Sequence, residues 1–151
     1  MKTFDASASG EAWRPSRSEL SGFLREQVLT TLSSLDADGA PESATVAFSE
    51  TDDGKFLIGT SQSSRKARNV EADPRVAMTV TDAERRYTVQ IKGLAQKLSD
   101  TAFAALAEEH YRQRPESLPF RDDPNQVHIL VSPTEIRFSD VSVHPWTVTT
   151  Y

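Results

Sequence analysis

Apolar positions change their spacing several times along the chain, and each change marks an element. Over residues 16–25, Leu20, Phe23 and Leu24 recur at helical spacing behind Ser16 or Ser18, which predicts a short helix. Residues 28–36 are rich in Thr, Leu and Ser and run into Asp36-Ala37-Asp38-Gly39, a turn signal. Residues 42–49 alternate, with Ala44, Val46 and Phe48 on one face and Ser43, Thr45 and Ala47 on the other. A second turn, Asp52-Asp53-Gly54-Lys55, precedes a short apolar strand at 56–58. Strands in sequence joined by Gly-containing turns imply an antiparallel meander.

Residues 65–72 are good helix formers, with Ser63 or Ser64 placed to cap them and Asp73-Pro74 to end them. Val76, Met78 and Val80 then alternate with Ala77, Thr79 and Thr81, which predicts a strand. A long strand over 87–98 turns Val89 and Ile91 to one face and Thr88, Gln90 and Lys92 to the other. Gly93 marks a bend or bulge within it. Residues 101–114 carry a helical stripe of Phe103, Leu106, Ala107 and Tyr111, stopped by Pro115. A Pro- and charge-rich loop leads to strands at 126–131 and 135–138, broken by Ser132-Pro133. The fold class is α+β, mainly β: about six antiparallel strands with short flanking helices form a small barrel, closed or partly closed. Residues 1–15 read as a flexible N-terminal arm, 16–140 as the domain, and 141–151 as a C-terminal tail containing His144-Pro145-Trp146.

Composition narrows the picture. The 151 residues include no cysteine, which excludes disulfide scaffolds, thiol catalysis, Cys-ligated zinc and iron–sulfur clusters. Val, Ile, Leu and Phe together number 33, a thin apolar stock that points to a partner chain or ligand completing the core. The N-terminus has no apolar run of the signal-peptide kind, and no stretch approaches the roughly 18 apolar residues of a membrane span. The expectation is a soluble cytoplasmic protein with no membrane partner. A formal charge of −5 argues against a nucleic-acid footprint spread over the surface.

Several chemistries lack their motifs. The six glycines never fall two apart, so neither a dinucleotide fingerprint nor a P-loop is present. His110, His128 and His144 have no metal-ligand spacing and read as structural or surface residues, so no metal is expected. Ser61 lacks the second glycine of a nucleophile elbow. The acids cluster in turns, and no carboxylate pair stands out. The informative stretch is 59–69, Gly-Thr-Ser-Gln-Ser-Ser-Arg-Lys-Ala-Arg-Asn. Residues 63–70 hold three cations and no acid, leaving −8 on the rest of the chain. Cations in a first helical turn oppose the macrodipole by about 0.3–1 kcal/mol each. Free backbone N–H groups and the hydroxyls of Thr60, Ser61, Ser63 and Ser64 converge there, and a bound phosphate would satisfy all of them. A solvated basic turn is the alternative reading of the same residues.

Taken together, Leu32-Ser33-Ser34-Leu35-Asp36-Ala37-Asp38-Gly39, the 42–48 strand, Ser63-Ser64-Arg65-Lys66-Ala67-Arg68-Asn69-Val70, Asp73-Pro74-Arg75-Val76-Ala77-Met78 and Gly93-Leu94-Ala95 resemble the pyridoxamine 5′-phosphate oxidase-like family. The resemblance implies a split barrel that forms a homodimer and holds FMN in clefts between the subunits. By position, Ser64, Arg65 and Lys66 would bind the ribityl phosphate, with Thr60 and Ser61 beside it. Residues 43–48, from Ser43 onward, would edge the isoalloxazine, with Thr45 and Val46 offering backbone contacts. Thr88 and Gln90 would reach the cofactor from the partner chain. Trp146 would be either a C-terminal aromatic near the flavin or a hydrophobic plug on the barrel. The Arg- and Asp-rich C-terminal motif that recognises pyridoxal phosphate in the oxidases has no match in residues 140–151. The chain therefore resembles the small relatives, general stress proteins among them. The implied function is a flavin-dependent oxidoreductase acting on a small-molecule substrate, with no catalytic acid or base evident. A deazaflavin-dependent reductase, or a non-catalytic flavin- or haem-binding stress protein, is the alternative.

Overall fold

The computed structural model describes residues 10–151, so residues 1–9 of the expected arm lie outside the described part. Helix α1 (Arg17–Glu26) starts on a capping box: Ser16 Oγ accepts from Glu19 N at 3.1 Å, and Glu19 Oε1 accepts from Ser16 N at 3.0 Å. Its Leu20, Phe23 and Leu24 are buried, as their spacing predicts. Strands β1 (Leu29–Leu35) and β2 (Pro41–Ala47) form the first hairpin. Gly39 turns it with φ of 78°, a conformation side chains oppose, while Asp36 Oδ1 accepts from Asp38 N and Ala40 N. The two-residue β3 (Ser49–Glu50) and β4 (Phe56–Ser61) form the second. Helix α2 (Arg65–Ala72), capped by Ser64, leads into β5 (Arg75–Asp82) and β6 (Tyr87–Lys97).

The segment expected as one helix over 101–114 is two, α3 (Asp100–Ala104) and α4 (Ala107–Gln113). A tight turn, Leu106 N to Phe103 O at 2.8 Å, separates them. A 3-10 helix, Pro115–Phe120, follows. The remaining strands are β7 (Gln126–Asp140) and β8 (Thr147–Thr150). All pairings are antiparallel, in the order β2-β1-β5-β6-β7-β4-β3, with β8 also on β7. The sheet curls into a split barrel around one apolar core that includes Leu32, Phe48, Ile58, Met78, Ile91, Ile129 and Phe138.

Eight strands replace the expected six. Two are short additions, β3 and β8. The expected break at Ser132-Pro133 does not occur, because the register of β6 against β7 shifts between Lys92 and Gly93 and sets Gly93 opposite Pro133. The bulge accommodates a proline that cannot donate to the ladder. A Cβ on Gly93 would stand 2.7 Å from Ser132 O and 2.8 Å from Val131 Cγ1, so the two backbones meet only because this position is glycine.

Trp13 and Tyr151 are held more firmly than composition suggests. Trp13 packs its ring 5.2 Å from Phe138 and 5.1 Å from Tyr87, and its backbone N–H donates to Asp140 Oδ2 at 2.9 Å. Tyr151 exchanges backbone hydrogen bonds with Ile136, and its hydroxyl donates to Pro15 O. The two segments close over the same end of the barrel. No helix of the described residues is long and apolar enough to cross a membrane. Gly93→Ala should lower stability by about 1–3 kcal/mol through overpacking at the bulge, read as a reduced urea midpoint at unchanged slope.

Candidate functional site

Helix α2 begins where β4 leaves the sheet. Its first turn contains no acid, and Ser64 Oγ caps it by accepting from Ala67 N at 3.2 Å. The N–H groups of Arg65 and Lys66 precede the first intrahelical acceptor and point out of the helix start. Around them the hydroxyls form a short chain. Thr60 Oγ1 donates to Ser64 Oγ at 3.1 Å, Lys66 Nζ lies 3.4 Å from Thr60 Oγ1, and Ser61 Oγ and Ser63 Oγ are 3.0 Å apart. The expected grouping of Thr60, Ser61, Ser64, Arg65 and Lys66 is thus present in one place.

A cleft of about 250 Å³ opens between this turn and the first hairpin, lined by residues that include Ser34, Glu42, Ser43, Arg65, Lys66 and Asn69. Glu42 is the feature the sequence reading missed. Its Oε2 pairs with Arg65 Nε at 3.0 Å, and its Oε1 accepts from Asn69 Nδ2 at 3.3 Å. Asn69 also donates to Ser34 Oγ at 3.1 Å, in the buried wall of the cleft. One cation of the helix start is therefore already matched by an acid, while Lys66 faces hydroxyls. An alternating strand pattern could place Glu42 on a face, but not beside a helix 23 positions later.

The other expected residues are distributed by the sheet. Ser43 lines the cleft and shares a 2.8 Å hydroxyl contact with Ser33. Val46 packs inward against the core, and β2 ends the sheet with one edge unpaired, so its backbone is open there. Thr45 and Gln90 lie on one outward face in a register running Thr45, Thr31, Thr79, Gln90. Three strand spacings, about 14 Å, separate them. Thr88 and Trp146 line a different cleft of about 410 Å³ with Tyr87 and Val141. Trp146 is 68% exposed, so it does not plug the barrel within one chain. A single chain assembles the helix-start group and leaves Thr88, Gln90 and Trp146 apart from it.

A second polar cluster was not anticipated. His110, expected outside the apolar stripe of its helix, is the buried residue of α4, and His128 is buried in β7. His110 Nδ1 meets Ser49 Oγ at 2.7 Å, and Phe103 stacks flat on His128 with ring centroids 3.5 Å apart. The two imidazoles are 5.5 Å apart. Burial, then the nearby Arg114 charge, pushes His110 down to about 4, against a smaller opposing pull from Glu116. Burial, then His110, pushes His128 down to about 4 as well, with Asp100 opposing. Arg114 itself is buried and donates to Phe48 O at 2.6 Å and Gln27 O at 2.7 Å, tying the end of α4 to the first hairpin. Among the described residues no group of three or more His, Asp or Glu is placed to hold a metal ion.

The fold is a curled antiparallel split barrel with a cationic, hydroxyl-rich helix start at its wall. The family model for pyridoxamine 5′-phosphate oxidase matches residues 16–140, and the chain belongs to that family. A pyridoxine/pyridoxamine 5′-phosphate oxidase of Chromobacterium violaceum is 32% identical over 105 residues, covering 67% of this chain and 48% of the relative. The chain thus spans about half the length of such curated relatives. Among solved structures, a haem-binding protein from Mycobacterium smegmatis superposes with a TM-score of 0.74 at 20% identity, covering 91% of this chain and 59% of the other. A pyridoxamine 5′-phosphate oxidase-related, FMN-binding protein from Nostoc punctiforme gives 0.70 at 17%, covering 93% and 92%. An F420 reductase gives 0.60 at 25%, covering 72% and 88%.

The histidine pair makes stability pH-dependent with a defined sign. Both folded values lie below the ordinary 6.5, so the unfolded chain binds protons first as pH falls. The stability contributed by keeping them neutral is complete above about pH 6.5 and lost progressively towards about pH 4, by roughly 3 kcal/mol per histidine at most. Urea unfolding across this range should show the decline, with a shallower slope in His128→Phe.

Proposed function

We propose that the chain is a homodimeric FMN-binding protein and an oxidoreductase acting on a small molecule. The observation that carries this reading is the start of α2, where Lys66, Arg65, the Ser64 and Thr60 hydroxyls and outward N–H groups converge with no acid in the turn. Such a group suits a phosphate monoester, which accepts from all of these donors together. Ser61 lies one hydroxyl further out, and Ser43 with the open edge of β2 at Thr45 and Val46 offers polar contacts to a flat ring system. FMN, when bound, supplies reversible electron and hydride transfer at its ring. The protein's part is to fix the phosphate, align the ring along β2 and exclude water from one face.

A second subunit is part of the proposal. Thr88 and Trp146 line a cleft separate from the helix start and Gln90 lies three strands from Thr45, whereas a partner could present them across the interface. The outward row of small and hydroxyl side chains, with Val28, Leu29 and Val148 exposed near it, gives a flat face for such contact.

A deazaflavin is the second reading, favoured by the 25% identity with the F420 reductase. The Glu42–Arg65 pair supports it, since the cradle then offers one unpaired cation in Lys66. Haem receives less support, because His110 and His128 are buried against Ser49 and Phe103. The curated relatives extend well beyond the matched part, and their oxidation of pyridoxine and pyridoxamine phosphates is not carried over.

The purified protein should show a flavin absorbance spectrum or gain one on titration with FMN. A deazaflavin or Soret spectrum would select the other cofactors, and indifference to all three would reject the reading. Lys66→Ala should weaken FMN binding by about 1.5–3 kcal/mol, the loss of a charged hydrogen bond, measured by flavin fluorescence quenching. Equilibrium sedimentation should give twice the chain mass.

A further inference from the structure

A separate cleft of about 250 Å³ lies beyond the end of β2, lined by Ala47, Gly59, His110, Ser117, Phe120 and Gln126. Its walls are built rather than incidental. A Cβ on Gly59 would stand 2.6 Å from Gln126 Nε2 and 3.4 Å from His128 Nε2, and of these two Gln126 lines the cleft. His110 and His128 are 4% and 7% exposed. Among the described residues, only His110 Nδ1 of their four ring nitrogens has a hydrogen-bond partner. Glu50 Oε2 is the one fully buried side-chain nitrogen or oxygen without a partner among the described residues, so the unpartnered imidazole nitrogens keep access to solvent and are open to a ligand or water.

Charge decides what kind of ligand fits. Both imidazoles are neutral at pH 7. The cation that acts on His110, Arg114, is committed to Phe48 O and Gln27 O, with Nη1 3.6 Å from Glu116. No acid lines the cleft; Asp100 and Glu116 act on the histidines from outside it. An anion or cation entering would shed hydration without gaining a free counter-charge. An amide or carbonyl group would instead find the Gln126 amide, the Ser117 hydroxyl and imidazole nitrogens as donors and acceptors. Phe120 and the imidazole rings provide flat walls for an aromatic ring.

We propose that this cleft binds an uncharged, single-ring heteroaromatic compound bearing an amide or carbonyl, held by Gln126, Ser117 and His110, with His128 next to Gly59 in the wall behind. Resting on the flavin reading for its role, it is the substrate pocket, since Ala47 joins it to the strand proposed to carry the cofactor's edge. Binding itself needs no cofactor.

The test uses the full chain with ¹³C-labelled histidine, observed by NMR during titration with nicotinamide and, separately, nicotinate. These probes share a ring and differ in charge. Nicotinamide should shift the ring signals of His110 and His128, and nicotinate should bind roughly fivefold more weakly or worse, the scale of one unmatched hydrogen bond. Gln126→Leu should weaken nicotinamide binding by about the same factor. Gly59→Ala, which fills the mouth against a flexible side chain, should do so too while keeping the thermal midpoint of the parent. FMN titration of the unsubstituted chain reads the cofactor proposal independently, because Gly59 precedes Thr60 and Gln126 pairs with Ser61 at the edge of the α2 group. Unmoved histidine signals, equal binding of the two probes, or full affinity in both variants would overturn the pocket, whatever the FMN result.

Discussion

Strand β7 carries neighbours on both of its edges, and the rest of the fold follows from how it does so. One edge pairs with β6 over residues 129–140, while the other takes β4 over residues 126–131 and β8 over residues 137–140. A flat ribbon cannot serve two partners arriving from different directions, so the strand bends. The bend is placed at the bulge where Gly93 meets Pro133, the two residue types least able to support a regular ladder. The curl that results splits the barrel. It sets β4 and the start of α2 on one side and the β5–β6 turn with Trp146 on another.

That split separates the functional groups. Cationic side chains at a helix start are locally unfavourable, and here they are held by the compensation around them: Glu42 on Arg65, hydroxyls on Lys66. The arrangement keeps the donors together without saturating them. Glu42 also means that the site is less cationic than its own helix suggests, since the acid comes from a different element of the fold.

Buried polarity does a different job at the other end of β2. Arg114 ties Phe48 and Gln27 carbonyls that the curled sheet leaves unpaired, and Ser49 receives His110. Each contact joins the helical segment to the first two hairpins across more than 60 positions of sequence. Glu50, almost wholly buried, accepts from Arg17 and Ser21 through one oxygen, and its Oε2 is the buried side-chain atom left without a partner among the described residues. These groups give the barrel wall specific joints where an apolar stock as thin as this one could not.

Local spacing determined much of the protein. The α2 boundaries, the Ser64 cap, the alternation of β2 and β5, the bulge at Gly93 and the hydroxyl-cation group at 59–66 were all legible, because each depends on residues within a turn or two of one another. The family itself was legible for the same reason, since its run from Ser63 to Met78 is contiguous. Tertiary structure alone decided the rest. It kept β7 whole through Pro133, divided the helix at Ala105 and Leu106, and buried His110 beside the half-buried apolar stripe. It also ordered Trp13 and Tyr151 and brought Glu42 to Arg65. In every such case the partner lies tens of residues away, and its burial or pairing energy outweighs a local preference worth at most about 1 kcal/mol.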